Sequence, residues 1–279
     1  MTWLRRFAPN SIIPGFGFSF GFTLFYLLTI VLIPLCGLVL YASSLSFHEL
    51  WEVIKQPRVL SAFRVSFGAA FAAALVNAFF GLIVAWVLVR YKFPFRKLVD
   101  SAVDLPFALP TAVAGIALSA LYAPTGWLGK NLESLGITVA YTPLGIVVAL
   151  IFVGLPFIVR TIEPVLQDLD KEVEEASASL GATRFQTFFR VIFPTVYPAL
   201  LTGFTMAFAR GLGEYGSVIF IAGNLPMVSE IVPLIIVIEL EQYQYKEATA
   251  VAAVMLLASF ILLFVINMLQ KWSGSSWIK

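Results

Sequence analysis

The longest stretch of this sequence with a water-exposed composition is Glu163-Pro-Val-Leu-Gln-Asp-Leu-Asp-Lys-Glu-Val-Glu-Glu-Ala-Ser-Ala-Ser-Leu-Gly-Ala-Thr-Arg-Phe-Gln-Thr-Phe-Phe-Arg-Val-Ile-Phe-Pro194. Its first half repeats apolar residues at steps of three and four, on one helical face, namely Leu166, Leu169, Val173, Ala176 and Leu180. Gly181 stands where such a helix would end, because glycine readily adopts the left-handed conformation found there. Thr183 and Gln186 have capping-box spacing, which predicts a second helix that should stop at Pro194. The stretch therefore predicts two short amphipathic helices joined by a sharp turn.

The charge of this loop helps to decide whether its apolar faces contact the membrane surface or another protein. Residues 160–194 hold six acidic and four basic side chains. Helices that lie on a membrane surface usually carry Lys and Arg on their polar face. An acidic helical pair with an apolar face is better suited to a groove in another protein. Docking to a partner protein is therefore the favoured hypothesis, and a hairpin lying on the membrane interface is the alternative.

The composition outside this loop is that of a membrane protein. The chain has 279 residues, of which 60% are hydrophobic and 12% charged, and its mean hydropathy is +0.93. Average soluble domains are about 45–50% apolar and about 25% charged. Intrinsic disorder is excluded by the apolar content, and a disulfide-built domain by the single cysteine, Cys36. The net charge of +2 gives no reason to expect nucleic-acid binding.

Charge-free runs indicate how often the chain crosses the bilayer. A spanning helix needs about 20 mainly apolar residues, and α-helix is the expected structure because lipid offers the backbone no hydrogen-bond partners. The runs are 7–47, 65–89, 105–129, 134–159, 191–209 and 248–270. The predicted fold is all-α, with six transmembrane helices at about 22–42, 63–89, 99–123, 142–162, 195–222 and 246–270, and the loop 163–194 between the fourth and fifth.

The distribution of positive charge predicts the orientation. Twelve Lys and Arg residues fall on the side that holds the loop 163–194, against five on the other side, and Arg210 lies within a helix. Because cytoplasmic segments carry the excess of positive charge, both termini should be cytoplasmic. The expected organisation is a cytoplasmic segment 1–21, one transmembrane domain 22–270 and a cytoplasmic tail 271–279. The first helix is expected to be retained, since no clean cleavage site closes it.

Ionisable residues inside the fifth helix are the first candidates for a transport path. Arg210 and Glu214 lie four residues apart, and such groups usually face a cavity or each other. They form either an ion pair that fixes packing or a source of positive potential for an anion, since the guanidinium fork matches oxyanions. Gly213 and the glycines around it suit either close helix contact or a local break.

A second group of candidates lies at the start of the third helix. Pro106 and Pro110 each remove a helical hydrogen bond and predict a kink that could shape a gate, with Thr111 directly after it. Asp100 and Asp104 lie near the inner interface, and we expect them to pair with basic residues or reach solvent. Asn77, in the middle of the second helix, is expected to bond to a neighbouring helix.

The loop also carries a resemblance to a known family. Glu175-Ala-Ser, Gly181, Val191 and Phe193-Pro194 keep the spacing of the EAA loop of ABC-importer permeases, with Ser177, Val191 and Phe193 as mild departures. In that family the segment docks in a groove of the ATPase subunit. The resemblance implies that ATPase coupling involves Glu174, Glu175, Ala176, Ser177, Leu180, Gly181, Ala182, Thr183, Arg184 and Pro194.

Other segments are similar to the T (or U) subunits of sulfate permeases. They are Asp104-Leu-Pro-Phe-Ala-Leu-Pro-Thr-Ala-Val-Ala-Gly115, Phe208-Ala-Arg-Gly-Leu-Gly-Glu-Tyr-Gly216, Val218-Ile-Phe-Ile-Ala-Gly-Asn224 and Arg90-Tyr-Lys-Phe-Pro94. The resemblance implies an importer of sulfate or thiosulfate in the bacterial inner membrane. Its implied partners are a homologous W-type permease, two ATPase subunits that bind ATP and Mg, and a periplasmic sulfate-binding protein. A permease for molybdate, tungstate or another oxyanion is the alternative.

Two other classes of protein fit the sequence less well. A secondary anion transporter would often show internal repeats, and no convincing repeat is present. An enzyme would need a clustered catalytic set, which we do not find, and the sequence lacks the P-loop pattern of an ATPase. The chain is therefore expected to have no cofactor and no catalytic site of its own.

Overall fold

The computed structural model describes residues 16–276, with side chains up to Met268, and within that range it consists of helices and turns without strands. Residues 1–15 and 277–279 of the expected terminal segments lie outside the described residues. Residues 16–21 and 271–276 continue the adjoining helices instead of forming separate segments.

The helices are numbered in chain order. They are α1 (Phe16–Leu27), α2 (Ile33–Ser43), α3 (Phe47–Lys55), α4 (Pro57–Arg90), α5 (Arg96–Val103), α6 (Leu105–Ala108), α7 (Thr111–Tyr122), α8 (Gly129–Glu133), α9 (Pro143–Asp168), α10 (Lys171–Ser179), α11 (Arg184–Thr187), α12 (Phe193–Leu212), α13 (Val218–Ile221), α14 (Val232–Glu241) and α15 (Tyr245–Ser276). Two π-helical turns, Leu28–Leu32 and Phe188–Ile192, join α1 to α2 and α11 to α12.

Five of the resulting helical segments within residues 16–276 are long and apolar enough to cross a membrane. They are Phe16–Ser43, Pro57–Arg90, Pro143–Asp168, Arg184–Leu212 and Tyr245–Met268. The third crossing, expected as one helix at 99–123, is instead broken into α5, α6 and α7. The apolar part, α7, has 12 residues and is therefore about 18 Å long, shorter than the hydrocarbon core of about 30 Å. Proline explains the break, because Leu109 is extended before Pro110, which caps α7.

The core is formed where α4, α9 and α12 pack against one another. Small residues line the buried face of α4, mainly alanines between Ala62 and Ala85. Ile158 of α9 is fully buried, and it lies against Gly81 of α4 and Gly203 of α12. Small side chains let helix backbones approach closely in a membrane, where dispersion and hydrogen bonds drive association. By contrast, the most apolar part of Phe16–Ser43 has no buried residue.

The bundle has two ends, which we name by the segments found there. At the hairpin end, α4 finishes at Arg90 and contacts α10. At the far end, Arg58 at the start of α4 pairs with Glu230. The broken crossing, α5 to α7, runs from one end to the other. Asp100 of α5 pairs with Arg160 of α9 near the hairpin end. Ser119 of α7 bonds to Tyr141, which lies just before the start of α9 at the opposite end.

The structure corrects the expected limits of the loop 163–194. Residues 163–168 belong to α9, where Leu166 is completely buried, so the hairpin proper comprises residues 171–187. The prediction that the second arm stops at Pro194 is wrong, because the helical path continues to Leu212. Pro194 is the second residue of α12, two positions after the π-helical turn, whose wider hydrogen-bond spacing accommodates the missing N–H. Pro34 stands in the same place after the other π-helical turn.

Candidate coupling hairpin and anion path

The turn of the hairpin is a Schellman motif centred on Gly181. The N–H of Ala182 donates to the carbonyl of Ser177 at 3.1 Å, and the N–H of Gly181 donates to that of Ala178 at 2.9 Å. This pattern needs a left-handed residue after the helix end, and Gly181 has φ of +83°. The predicted capping box of the second arm is also present, with Thr183 and Gln186 bonding reciprocally. The sharp turn is therefore built by residues close together in the sequence.

Side-chain contacts hold the hairpin together and against α4. The hydroxyls of Ser177 and Thr187 lie 3.0 Å apart and join the two arms. Arg90, the last residue of α4, pairs with Glu174 at 2.5 Å and donates to the carbonyl of Leu169 at 3.1 Å. The same guanidinium lies over the ring of Trp86, 5.8 Å from its centre. The hairpin is thus anchored at both its start and its first helix.

The opposite side of the hairpin is open to its surroundings. Leu180 is 89% exposed, although it is a large apolar residue at the turn. Glu175, Ala176 and Arg184 are also exposed. The apolar side chain at the tip is therefore free for a contact outside the chain. Of the candidate coupling residues, Glu174 and Ser177 instead face α4 and the second arm, and Pro194 lies outside the hairpin, in α12.

The candidate ion pair lies where α12 ends, so its expected place in mid-helix is corrected. Arg210 is in the last turn and Nη1 lies 2.6 Å from Oε2 of Glu214. The Glu214 side chain is 2% exposed, and its other oxygen accepts from the N–H and hydroxyl of Ser217, both at 3.0 Å. The Arg210 side chain is 38% exposed. The buried carboxylate is therefore fully satisfied, while the guanidinium reaches the surface.

The glycines around this pair allow both a helix break and a close contact. The helix breaks between Gly213 and Ser217 before α13 begins. The broken segment packs tightly on α7, because a Cβ on Gly216 would overlap the hydroxyl of Thr111 and one on Gly115 would lie 2.8 Å from Cα of Ser217. Gly213 itself is exposed and has open space around it. The fold thus brings Thr111 to the break, whereas Pro106 lies in α6, near the hairpin end.

One face of α12 leads from the hairpin end towards Arg210. Its exposed residues are Thr195, Pro198, Thr202 and Met206. The hydroxyls of Thr195 and Thr202 donate to carbonyls four residues earlier, at 2.9 Å each. Their oxygens still present a polar edge on an otherwise apolar helix. This face was not predicted from the sequence, because threonine is common in membrane helices and carries no charge to draw attention.

A charged cluster at the hairpin end is a second feature that was not predicted as a whole. Asp100 and Asp104 were expected to find basic partners, which is confirmed, and the partner is Arg160 of α9. Glu163, one turn further along α9, binds the same guanidinium. The expected bond of Asn77 to a neighbouring helix is confirmed as well, because its amide donates to the carbonyl of Ile151 at 3.1 Å.

The far end carries a comparable pair. Arg58 binds Glu230 with both arms of its fork, at 2.8 and 2.5 Å, and Glu230 is buried. Burial raises the pKa of the nearby Glu239 carboxyl, although the positive charge of Arg58 opposes that shift. Within residues 16–276 no group of three metal-binding side chains occurs.

The sequence of the chain was compared with those of known proteins. The family model for the binding-protein-dependent transport system inner membrane component matches residues 77–279. The sulfate transport system permease protein CysT of Synechocystis sp. is 51% identical over 250 residues, covering 90% of this chain and 87% of the relative. Its namesake in Escherichia coli K12 is 47% identical over 270 residues, 96% of this chain and 98% of the relative.

Solved structures support the same fold. A bacterial ABC transporter that imports the acidic polysaccharide alginate matches with a TM-score of 0.74 and 15% identity, over 89% of this chain and 92% of the solved one. The family match covers both the hairpin and the helix break, and two relatives match nearly the whole chain. The chain belongs to the family of binding-protein-dependent transport system inner membrane components.

Proposed function

We propose that the chain is a transmembrane permease subunit of an ATP-driven importer of sulfate, with thiosulfate as a second substrate. The observation that carries this proposal is the identity of 47–51% to sulfate transport system permeases over almost their whole length. Molybdate and tungstate are also tetrahedral oxyanions, so they are the natural competitors to test. The chain contributes no catalytic site and no cofactor; ATP and Mg bind to a separate ATPase.

The proposed complex contains four kinds of component. Two ATPase subunits dock on the exposed side of the hairpin, around Glu175, Leu180 and Arg184. A W-type permease completes the membrane part, and a periplasmic binding protein delivers the anion at the far end. Both termini and the hairpin face the cytoplasm, which the excess of positive charge on that side supports.

The mechanism uses the hairpin as a lever. Closure of the ATPase subunits around ATP displaces the hairpin, and its bonds to Arg90 and α9 carry the displacement into the bundle. The helices then switch between a state open to the cytoplasm and one open to the binding protein. The anion is released into the cavity, and ATP hydrolysis resets the cycle.

Arg210 is the proposed positive element of the anion path. Its exposed guanidinium stands at the end of the threonine face of α12, and its partner Glu214 is buried behind it. One oxygen of Glu214 accepts from Ser217, so only the other oxygen binds Nη1 of Arg210. The remaining N–H groups of the guanidinium can then donate to an oxyanion. A single guanidinium gives weak binding, because the hydroxyls of Thr195 and Thr202 already donate to backbone carbonyls. Weak binding favours release over retention.

Substrate identity is tested by transport in proteoliposomes. The permease pair, the ATPase and the binding protein are reconstituted, and ATP-dependent uptake of labelled sulfate is measured with and without excess thiosulfate or molybdate. We expect saturable sulfate uptake that thiosulfate inhibits and molybdate inhibits weakly. Uptake of molybdate in preference to sulfate would contradict the assignment. Uptake without ATP, driven by an ion gradient, would overturn the transporter class.

Substitution of Arg210 by alanine is expected to reduce sulfate uptake by at least about tenfold, because oxyanion contacts through a guanidinium are among the stronger hydrogen bonds. Arg210→Lys should retain part of the activity, since it keeps the charge but loses the fork. Arg64→Ala serves as the control, because this exposed arginine is also in a membrane-spanning helix. Normal uptake in an assembled Arg210→Ala complex would leave Arg210 a purely structural role.

A further inference from the structure

Arg160 is the centre of the most highly connected side-chain cluster among the described residues. Its Nε and Nη2 donate to the two oxygens of Asp104 at 2.9 and 2.6 Å. Nη1 donates to Asp100 at 2.7 Å and to Glu163 at 2.5 Å, and Nη2 also donates to the backbone carbonyl of Asp100 at 3.0 Å. All five N–H donors of the guanidinium are therefore used.

This cluster joins the broken crossing to the helix that enters the hairpin. Asp100 belongs to α5 and Asp104 links α5 to α6, whereas Arg160 and Glu163 belong to α9. An aromatic contact supports the same junction, because the rings of Phe107 and Phe157 meet edge to face at 5.3 Å. Only two residues separate the end of α9 from the hairpin. A displacement of the hairpin therefore reaches Arg160 through this short link and the last turns of α9.

The other end of the broken crossing touches the candidate anion path. After α6, the chain turns at Pro110 and continues as α7, whose Thr111 and Gly115 pack against Gly216 and Ser217. Ser217 in turn donates to Glu214, the partner of Arg210. The connection from Arg160 to the break in α12 therefore runs through the carboxylates of α5–α6, then along the backbone of α6 and Pro110, and finally through the packing of α7 on Ser217. Such a contiguous path can carry energetic coupling between distant sites.

We propose that Arg160 is a positioning residue for coupling, which clamps the α5–α6 segment to α9 so that hairpin movement shifts α7 and the break beside Arg210. This inference rests on the proposed lever function of the hairpin. The extended fork is essential to the clamp, because one lysine nitrogen cannot hold two carboxylates of α5–α6 and one of α9 in a fixed plane. The cluster has three carboxylates and one cation, so it is not charge-neutral. Its proposed role therefore depends on how the guanidinium holds the three carboxylates in place.

A labelling experiment on the assembled complex tests this clamp directly. Cys36 is the only cysteine in the sequence, so Cys36→Ser gives a background in which Val113→Cys, on the exposed side of α7, is the only thiol of the chain. The rate of maleimide labelling is compared with and without a non-hydrolysable ATP analogue. We expect the analogue to change the rate in the parent, and Arg160→Lys to reduce that change by at least about fivefold.

Matched variants separate coupling from stability. Arg58→Lys alters an arginine with the same bidentate carboxylate contact at the far end, and it should keep the labelling response. Asp104→Asn, which weakens the clamp while keeping an acceptor, should give an intermediate response and replaces Arg160→Lys if that complex fails to assemble. An unchanged response in both clamp variants overturns the proposal, and so does an equal loss in Arg58→Lys.

The same measurement distinguishes this inference from the proposed function. Labelling requires no sulfate, so the wrong substrate would appear only in the uptake assay. If labelling of the parent does not respond to the ATP analogue, the lever is wrong and the clamp falls with it. If uptake shows molybdate specificity while the labelling results hold, the clamp stands and only the substrate changes.

Discussion

Replacement of Gly181 by valine is expected to disconnect ATP hydrolysis from sulfate uptake, lowering the ratio of anion transported to ATP hydrolysed by about tenfold or more. The physical reason is local. Gly181 has φ of +83° with open space around it, so a side chain meets no clash but strains the backbone. Left-handed geometry costs an L-residue about 1–2 kcal/mol, and β-branched residues suffer most. The turn should relax to another shape and move the exposed side of the hairpin out of register with the ATPase.

The chain offers a closely matched control in Gly136. This glycine also closes a Schellman motif, with φ of +76°, bonds of 2.9 and 3.0 Å and open space around it, but it lies beyond α8 on the far side of the bundle. Gly136→Val should impose a similar strain and leave the transport ratio unchanged. The two variants are compared by measuring uptake and hydrolysis in the same proteoliposomes. Normal coupling in Gly181→Val, or equal uncoupling in both, would count against the lever.

Replacement of Gly115 by alanine is expected to destabilise the folded bundle. A Cβ there would overlap the carbonyl oxygen of Ser217 and lie 2.8 Å from its Cα, so backbone has to move. Overpacking of this kind costs about 1–3 kcal/mol. The displaced segment includes the donors to Glu214, so the Arg210 pair should loosen together with the contact between α7 and α13.

Thermal unfolding of the purified permease in detergent measures this effect. Gly68→Ala is the control, because Gly68 is also in a membrane-spanning helix, but a methyl group added there would have no neighbour within 4 Å. In a helix, alanine is more favourable than glycine by up to about 1 kcal/mol, so Gly68→Ala should unfold at the same or a slightly higher temperature. An equal or higher unfolding temperature for Gly115→Ala would contradict the tight packing of α7 against Ser217.

The features that were predicted well from the sequence are those made by neighbours in the chain. The glycine turn and the Thr183 capping box each use residues within six positions of one another, so local stereochemistry is sufficient to determine them. The apolar runs predicted membrane helices because burial of backbone in lipid leaves helix as the available structure. The position of Pro194 was misjudged, since a π-helical turn before a proline has no signal in hydropathy.

The breaks in the third and fifth crossings could not be predicted from the local sequence pattern alone. Prolines and glycines mark both places in the sequence, but a kink, a close contact and a full break were all compatible with them. The structure has a break because side chains at that place satisfy the freed groups, as when Glu214 accepts from the N–H of Ser217, three residues later. It also places Thr111 of one break against Gly216 of the other.

By itself, the sequence determined that this is an all-helical membrane protein, that its charged hairpin turns at Gly181, and that the hairpin and four other segments resemble a known family. Only the tertiary structure decided which partners the charged side chains take. Arg160 meets acids 56 and 60 positions away, and Arg58 meets one 172 positions away. Several other acids in the chain could have served equally well by type. The choice is made by helix packing, because an arginine in a helix of the bundle pairs with whichever carboxylate the neighbouring segment brings within reach.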